Sequence, residues 1–98
     1  MSAYLVANVI WNDVDALKQY GEIVAESLKP FDGSYVATGA VHSAVEGEKP
    51  PTRLSIVEFP SIDAAKAWVA SKEYKAALEI RHRAATTHWI VLMEGLSK

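Results

Sequence analysis

The stretch from Arg53 to Tyr74 constrains the fold most, because within it a strand leads directly into a helix. Residues 54–59 are rich in β-branched and aromatic side chains, which favour strands, and Pro60 ends the run because it cannot donate a ladder hydrogen bond. Ser61 follows at the position of a helix N-cap, and apolar residues then recur at helical spacing. The stretch predicts a strand followed by a helix that packs Trp68 against the sheet.

A second helix follows at once. Ser71 can end the first helix and cap the next one. The residues that share one face of this second helix are Tyr74, Ala77, Leu78, Arg81 and Ala85. An arginine therefore lies on a stripe that is otherwise apolar.

The rest of the chain supplies three more strands and one more helix. The strands are predicted at Tyr4–Trp11, at Ser34–Ala40 with a continuation over Val41–Val45, and at Thr86–Glu94. The helix has Asn12 or Asp13 as its cap, the apolar positions Val14, Leu17, Gly21, Val24 and Leu28, and its end at Pro30. Gly39 weakens the second strand, which suits a bulge or an edge position.

The order of these elements is strand, helix, strand, strand, helix pair, strand. It predicts an α+β fold, the ferredoxin-like βαββαβ arrangement with a four-stranded antiparallel sheet. The first and third strands are the most apolar and should be central. Right-handed crossovers place all the helices on one face of the sheet.

Three of the four predicted strands carry apolar residues on both faces. In Tyr4–Trp11, for example, Leu5, Ala7, Val9 and Trp11 alternate with Tyr4, Val6, Asn8 and Ile10. Burying such a side chain contributes roughly 1.5 to 3 kcal/mol of stability, so leaving about six of them in water would lose a stabilisation on the order of 10 kcal/mol. We therefore expect a second, identical subunit to cover the open face, giving a homodimer.

Composition excludes several classes of protein. The 98 residues form one domain, 1–98, and the net charge of −2 lacks the basic excess that nucleic acid or an anionic membrane surface would favour. No cysteine is present to form a disulfide, a thiol nucleophile or a cysteine metal site. The first 13 residues lack a basic n-region and a cleavage site, so we expect a cytoplasmic protein.

Glu58 is the most informative polar residue, being a carboxylate near the end of an otherwise buried strand. A buried carboxylate either pairs with a cation or has its pKa raised, and a raised pKa suits general acid–base chemistry. The structural alternative is an ion pair between Glu58 and Arg81. His82 is the second candidate catalytic residue, since histidine titrates near neutral pH.

The three histidines are His42, His82 and His88, and their spacing does not suggest a metal site. A capping or core role is the simpler explanation for each. No phosphate loop or hydrolase elbow is present either, so neither a metal nor another cofactor is expected.

Several aromatic residues could line a pocket between helices and sheet, suited to a flat apolar ligand, although such residues more often form the core. They are Tyr35, Phe59, Trp68, Tyr74 and Trp89. Together with polar groups, the candidate substrate-binding residues are Asn8, Trp68, Tyr74 and Arg81.

The segment Val57–Ala85, with the preceding PPTRL at Pro50–Leu54 and the closing VLMEG at Val91–Gly95, resembles the family known as domain of unknown function 1330. The resemblance covers nearly the whole chain. It implies a dimeric α/β barrel in which two ferredoxin-like sheets face one another. The wider superfamily includes cofactor-independent monooxygenases, haem-degrading enzymes and lactone isomerases, and the nearer family implies no particular reaction.

Three functions remain open from the sequence. The first is a homodimeric protein that binds a small molecule in a pocket between helices and sheet. The second is a cofactor-independent monooxygenase or isomerase that acts on a small aromatic or lactone-like substrate. The third is a purely structural or interaction domain.

Overall fold

The computed structural model of the protein describes residues 2–96. Its strands are β1 (Ala3–Trp11), β2 (Ser34–Ala40), β3 (Arg53–Phe59) and β4 (Ala85–Glu94). Its helices are α1 (Val14–Leu28), α2 (Ile62–Val69) and α3 (Lys72–Ala84), and a short 3₁₀ turn, Lys29–Phe31, follows α1. None of the helices described is long and apolar enough to cross a membrane.

The four strands form one antiparallel sheet in the order β2-β3-β1-β4. This confirms the predicted α+β ferredoxin-like fold, with the first and third strands at the centre and β2 at an edge. The order follows from the two crossovers, which bring β1 and β3 side by side.

Side-chain caps begin each helix where the sequence predicts them. Asp13 accepts hydrogen bonds from the backbone N–H groups of Asp15 and Ala16. The Ser61 hydroxyl accepts from the N–H of Ala64, and the Ser71 hydroxyl accepts from the N–H of Tyr74. Each cap satisfies backbone donors that have no partner within the helix, so the helix boundaries are set locally.

The core lies between the helices and one face of the sheet. Leu5 and Val57 are opposite each other in β1 and β3 and face the same side. They form one buried cluster with residues from all three helices, among them Val24, Trp68 and Ala77. Full burial of a side chain as large as Val57 contributes roughly 1.5 to 3 kcal/mol, so this cluster dominates the stability of the protomer.

The second strand is shorter than the sequence predicts. It ends at Ala40, and the predicted continuation over Val41–Val45 is wrong, although the N–H of Val41 still donates to the Thr52 carbonyl at 3.0 Å. Gly39 has φ of 151°, a conformation that favours glycine. The irregularity in the ladder lies at Val36, between Tyr35 and Ala37, and not at Gly39.

The last strand contains a bulge that the sequence does not reveal. Asn8 pairs with Trp89 but Val9 pairs with Thr87, so His88 is the extra residue. On the C-terminal side of the bulge, Ile90 and Leu92 are two residues apart, share one face of the strand and pack against the core. On the N-terminal side of the bulge the register shifts by one residue, which turns Thr87 toward the helices.

The chain forms a slab whose Cα atoms span 16 Å in the thinnest direction, since one layer of helices covers one face of the sheet. The side of the sheet away from the helices is called the outer face. Its most exposed large apolar side chains are Ile10, Val36, Trp89, Val91 and Met93. The strands of the folded chain therefore carry apolar side chains on both faces of the sheet, and the helices leave one of these faces uncovered.

Candidate functional site

A cavity of about 190 Å³ lies between α1, α3 and the helix-covered face of the sheet, and is called the helix–sheet cavity. Leu5, Val57 and Ile90 form its apolar floor. Gly21 and Val24 line it from α1, where the absence of a side chain at Gly21 leaves room: a Cβ added there would meet no atom within 4 Å.

Aromatic rings form one wall of the helix–sheet cavity. The Trp68 and Tyr74 rings lie 4.1 Å apart between centroids, at 35°. Phe59 packs behind Trp68 at 5.6 Å and is fully buried. The rings are tilted against one another, and together they give the cavity an aromatic wall on which an apolar ring could pack.

Arg81 brings a positive charge into this apolar site. It is only 7% exposed, and it donates from Nη1 to the Thr87 hydroxyl at 2.5 Å and from Nη2 to the Tyr74 hydroxyl at 3.2 Å. Its buried Nε has no hydrogen-bond partner. Both partners are neutral hydroxyls, so the guanidinium charge is uncompensated among residues 2–96.

Two further tyrosines reach the helix–sheet cavity, Tyr20 from α1 and Tyr35 from β2. Burial, together with the neighbouring Tyr74 phenol, raises the pKa of Tyr20. Burial also raises the pKa of Tyr35, against the opposing charge of Arg53. Both phenols therefore stay protonated and uncharged near neutral pH.

A polar rim closes the β2 side of the cavity. The Thr38 and Ser55 hydroxyls lie 2.7 Å apart, and Arg53 donates to Thr38 at 3.2 Å. Lys18 lines the α1 side. The described residues that line the cavity thus include three cations and neither aspartate nor glutamate.

Three of the residues selected from the sequence come together in this cavity: Trp68, Tyr74 and Arg81. Tyr35 joins them, as the pattern of aromatic residues suggested. Their roles in binding remain predictions. Trp89 does not join them, because it lies on the outer face beside Asn8.

Glu58 points away from the helix–sheet cavity. It pairs with Tyr4 across β3 and β1, and side chains alternate along a strand, so Glu58 and Val57 face opposite sides of the sheet. The Tyr4 hydroxyl donates to Glu58 Oε2 at 3.2 Å. That hydrogen bond and the charge of Glu58 raise the pKa of Tyr4.

The ion pair considered between Glu58 and Arg81 does not form within the chain, because the sheet separates the two side chains. The physical reason is register: Arg81 packs on the face of Val57, one residue away from Glu58 in β3. The ion pair found in the part of the chain that the structure describes is Lys29–Glu26, at 3.1 Å on the surface.

Asn8 and His82 also lie outside the helix–sheet cavity. Asn8 is buried on the outer face, where its Oδ1 has no hydrogen-bond partner and where it lines an open pocket with His88 and Trp89. His82 is exposed on α3. Glu58, His82 and Asn8 do not line the cavity. The catalytic roles of Glu58 and His82 and the binding role of Asn8 stay predictions.

No group of three or more metal-binding side chains is found within residues 2–96. His42 contacts the Ser43 hydroxyl at 3.1 Å in the exposed loop after β2. The three histidines therefore lie in different surroundings: one in a loop, one on a helix and one at a bulge.

Several cavity residues were not selected from the sequence, namely Lys18, Tyr20, Thr38, Arg53 and Ser55. A signal for two of them exists, because Arg53 and Ser55 alternate with Val57 and so must share its face. Tyr20 is adjacent to Gly21 on α1, at the edge of the apolar stripe. Thr38 follows the Val36 bulge, so its orientation could not be read from the sequence.

Together, the fold and the site define a ferredoxin-like α+β domain with a cavity between helices and sheet. The chain belongs to the family described as domain of unknown function DUF1330, whose model matches residues 2–96. No curated protein matches the chain.

Solved structures share the fold at low sequence identity. A protein of unknown function from Rhodopseudomonas palustris, RPA0582, is 17% identical with a TM-score of 0.75, over 99% of this chain and 84% of that one. A dimeric ferredoxin-like protein of unknown function from Jannaschia sp. CCS1 is 10% identical with a TM-score of 0.70, over 99% and 100%. SnoaB from Streptomyces nogalater, a cofactor-independent oxygenase, is 13% identical with a TM-score of 0.60, over 99% and 95%.

Proposed function

We propose that the protein binds a small, largely apolar or aromatic molecule in the helix–sheet cavity and acts as a homodimer. The observation that carries the binding proposal is the cavity itself, which is lined by an apolar floor, an aromatic wall and side chains that carry hydroxyl and guanidinium groups. A few polar groups among apolar walls are what small-molecule sites generally contain.

The volume limits the size of the ligand. A cavity of roughly 150 Å³ is enough to hold benzene, and many drug-sized ligands need about 300 Å³ or more. At about 190 Å³, the helix–sheet cavity suits one ring with a small substituent. A large polycyclic ligand would require the cavity to widen.

The outer face supports the homodimer. Val36, Val91 and Met93 are each about half exposed there, which is costly for apolar side chains in water. A second copy of the same face would bury them, as in the dimeric ferredoxin-like proteins of similar fold. The tyrosine–carboxylate pair of Tyr4 and Glu58 would then lie at this interface.

A second candidate function is a cofactor-independent monooxygenase or isomerase acting on a small aromatic or lactone-like substrate. This candidate is supported by the fold that the chain shares with SnoaB, a cofactor-independent oxygenase. Glu58 and His82 were the bases predicted from the sequence, and in either role a change to glutamine should lower turnover by about a hundredfold or more. Unchanged turnover in both variants would remove these two residues from the mechanism.

A purely structural or interaction domain is the third candidate. It would be favoured by a Glu58–Arg81 pair without an adjacent cavity. The opposite arrangement, with Arg81 beside a cavity and away from Glu58, supports the binding proposal instead.

Gly21 offers a direct test of the binding proposal. In Gly21→Leu the new side chain should occupy the cavity. Leucine also favours the helix more than glycine does, which offsets any destabilisation caused by the larger side chain. We expect ligand-detected NMR with a library of small aromatic compounds and lactones to show saturable binding to the wild-type protein and none to Gly21→Leu.

The matched control is Ala25→Leu, which adds a similar side chain to the exposed face of the same helix. It should bind as the wild type does. Absence of binding to the wild type across the library, or equal binding to Gly21→Leu and Ala25→Leu, would contradict the proposed site.

A further inference from the structure

The charge in the helix–sheet cavity differs from that of the whole protein. The chain carries 12 acidic and 10 basic residues, yet the described residues that line the cavity include Lys18, Arg53 and Arg81 and no acidic residue. A cavity with low-dielectric walls and one sign of charge concentrates its field on whatever enters it. The field here favours an anion.

Arg81 contributes most to this field because it is buried. A buried guanidinium normally pairs with a carboxylate, since removing an unpaired charge from water is costly. Arg81 has only the Thr87 and Tyr74 hydroxyls as partners, and no carboxylate lies within 4.0 Å among residues 2–96. Of its five N–H donors, two are used, and Nε is both buried and unpartnered.

The neighbouring phenols do not supply the missing negative charge. Burial keeps Tyr20 protonated, because its pKa is raised above the ordinary value. The Tyr20 phenol is hydrogen-bonded to Tyr74, whose hydroxyl oxygen also accepts from Arg81, so both phenols belong to the same polar group as the guanidinium. The site thus holds donors and positive charge together, with an apolar floor beside them.

The geometry points to a small aromatic carboxylate as the ligand class, an inference that rests on the proposed function of the cavity. The carboxylate would accept charge-assisted hydrogen bonds from Arg81, whose planar donors match two carboxylate oxygens. The ring would lie on the floor formed by Leu5, Val57 and Ile90, beside the Trp68 and Tyr74 rings. The cavity volume of about 190 Å³ limits the ring system to about the size of benzoate or phenylacetate.

Two matched pairs of probes test the charge preference without any change to the protein. Benzoate is compared with benzamide, and phenylacetate with phenylacetamide, because each pair has nearly the same shape and differs in charge. We expect each carboxylate to bind the wild-type protein at least tenfold more tightly than its amide, measured by ligand-detected NMR titration at pH 7.

Arg81→Met tests the origin of the preference, since methionine keeps much of the apolar length of the side chain and removes the charge. The affinity for carboxylates should fall at least tenfold and that for amides should change less than threefold. Arg53→Gln at the rim is the second variant, and it should lower carboxylate affinity by a few-fold. Arg83→Met, an exposed change on the same helix, is the control and should behave as the wild type.

The outcomes separate this inference from the proposed function. Binding of the amides as tightly as the carboxylates, or a carboxylate preference that survives in Arg81→Met, would overturn the anion assignment and leave the binding site in place. Absence of binding by both carboxylates and amides, joined to a negative result across the neutral library, would overturn the site and this inference together.

Discussion

Ser27 accepts a hydrogen bond from the indole N–H of Trp68 at 2.9 Å, inside the buried contact between α1 and α2. The Ser27 hydroxyl in turn donates to the Val24 carbonyl at 2.7 Å. One buried serine therefore satisfies the polar end of a tryptophan whose ring forms the wall of the helix–sheet cavity. The hydrogen bond therefore helps to hold the Trp68 ring in its position at the cavity wall.

Replacing Ser27 with alanine should destabilise the protein. The Trp68 N–H would be left buried without a partner, which costs about 1 to 3 kcal/mol. We expect the free energy of unfolding in urea to fall by that amount. Ser34→Ala, at the exposed start of β2, should change it by less than about 0.5 kcal/mol, and an equal effect of the two substitutions would contradict this role for Ser27.

Two glycines should respond in opposite directions to alanine. A Cβ at Gly33 would lie 2.8 Å from Leu28 Cδ2 and 2.9 Å from Phe59 Cε1, so one of these two buried side chains would have to shift to accommodate it. Gly33→Ala should lower the free energy of unfolding by about 1 to 3 kcal/mol. Gly21→Ala has open space around it and should raise that energy by up to about 1 kcal/mol, because alanine favours the helix. In urea denaturation, a rise in Gly33→Ala would contradict the packing argument at Gly33, and a fall in Gly21→Ala would contradict the argument at Gly21.

Features set by neighbouring residues were predictable from the sequence. Ser61 and Ser71 act as caps within three residues of their own positions, so spacing identified them, whereas for the first helix it left Asn12 and Asp13 as alternatives, of which Asp13 is the cap. The strand order followed from the sequence of elements, since short right-handed crossovers leave few arrangements.

The site was less predictable because it depends on register. Helical spacing places Arg81 on an apolar stripe, but alternation along β3 does not say which face of the sheet Glu58 occupies, and the pairing with Tyr4 decides it. The bulge at His88 turns Thr87 toward Arg81, and a one-residue shift of this kind leaves no mark in the local pattern. Long-range pairing thus decides which polar groups meet in the cavity.

The stability of the protein should fall at alkaline pH through Tyr20. Its pKa is raised in the folded state, while an unfolded tyrosine ionises near pH 10. Protonated Tyr20 therefore makes its full contribution to the free energy of unfolding below about pH 10. That contribution is lost as the pH rises toward the pKa of the folded state, by up to about 1.4 kcal/mol per pH unit.

The measurement is urea denaturation at pH 9, 10 and 11 on the wild type and Tyr20→Phe. The wild type should lose stability relative to the variant between pH 10 and 11, and the difference should be constant below pH 9. Parallel curves for the two proteins across the whole range would show that Tyr20 ionises equally easily in the folded and unfolded states.

The outer face should hold two protomers together. Val91 on β4 and Val69 on α2 are each 44% exposed in the protomer, but they lie on opposite sides of the slab. Val91→Lys would place a charge in the proposed interface, so we expect it to sediment as a monomer at low micromolar concentration. Val69→Lys should remain a dimer like the wild type, and a wild type that is itself a stable monomer would contradict the interface.

Arg81 offers the sharpest distinction between a structural and a binding role. Arg81→Met removes two hydrogen bonds, worth about 1 kcal/mol each, and also removes a buried charge whose desolvation costs several kcal/mol. The balance predicts a free energy of unfolding at least as large as that of the wild type, measured by urea denaturation without ligand. The exposed change Arg83→Met should leave it within about 0.5 kcal/mol. A loss of about 3 to 5 kcal/mol in Arg81→Met, the usual result of breaking a buried ion pair, would mean that the guanidinium has a compensating partner and is present for stability and not for a ligand.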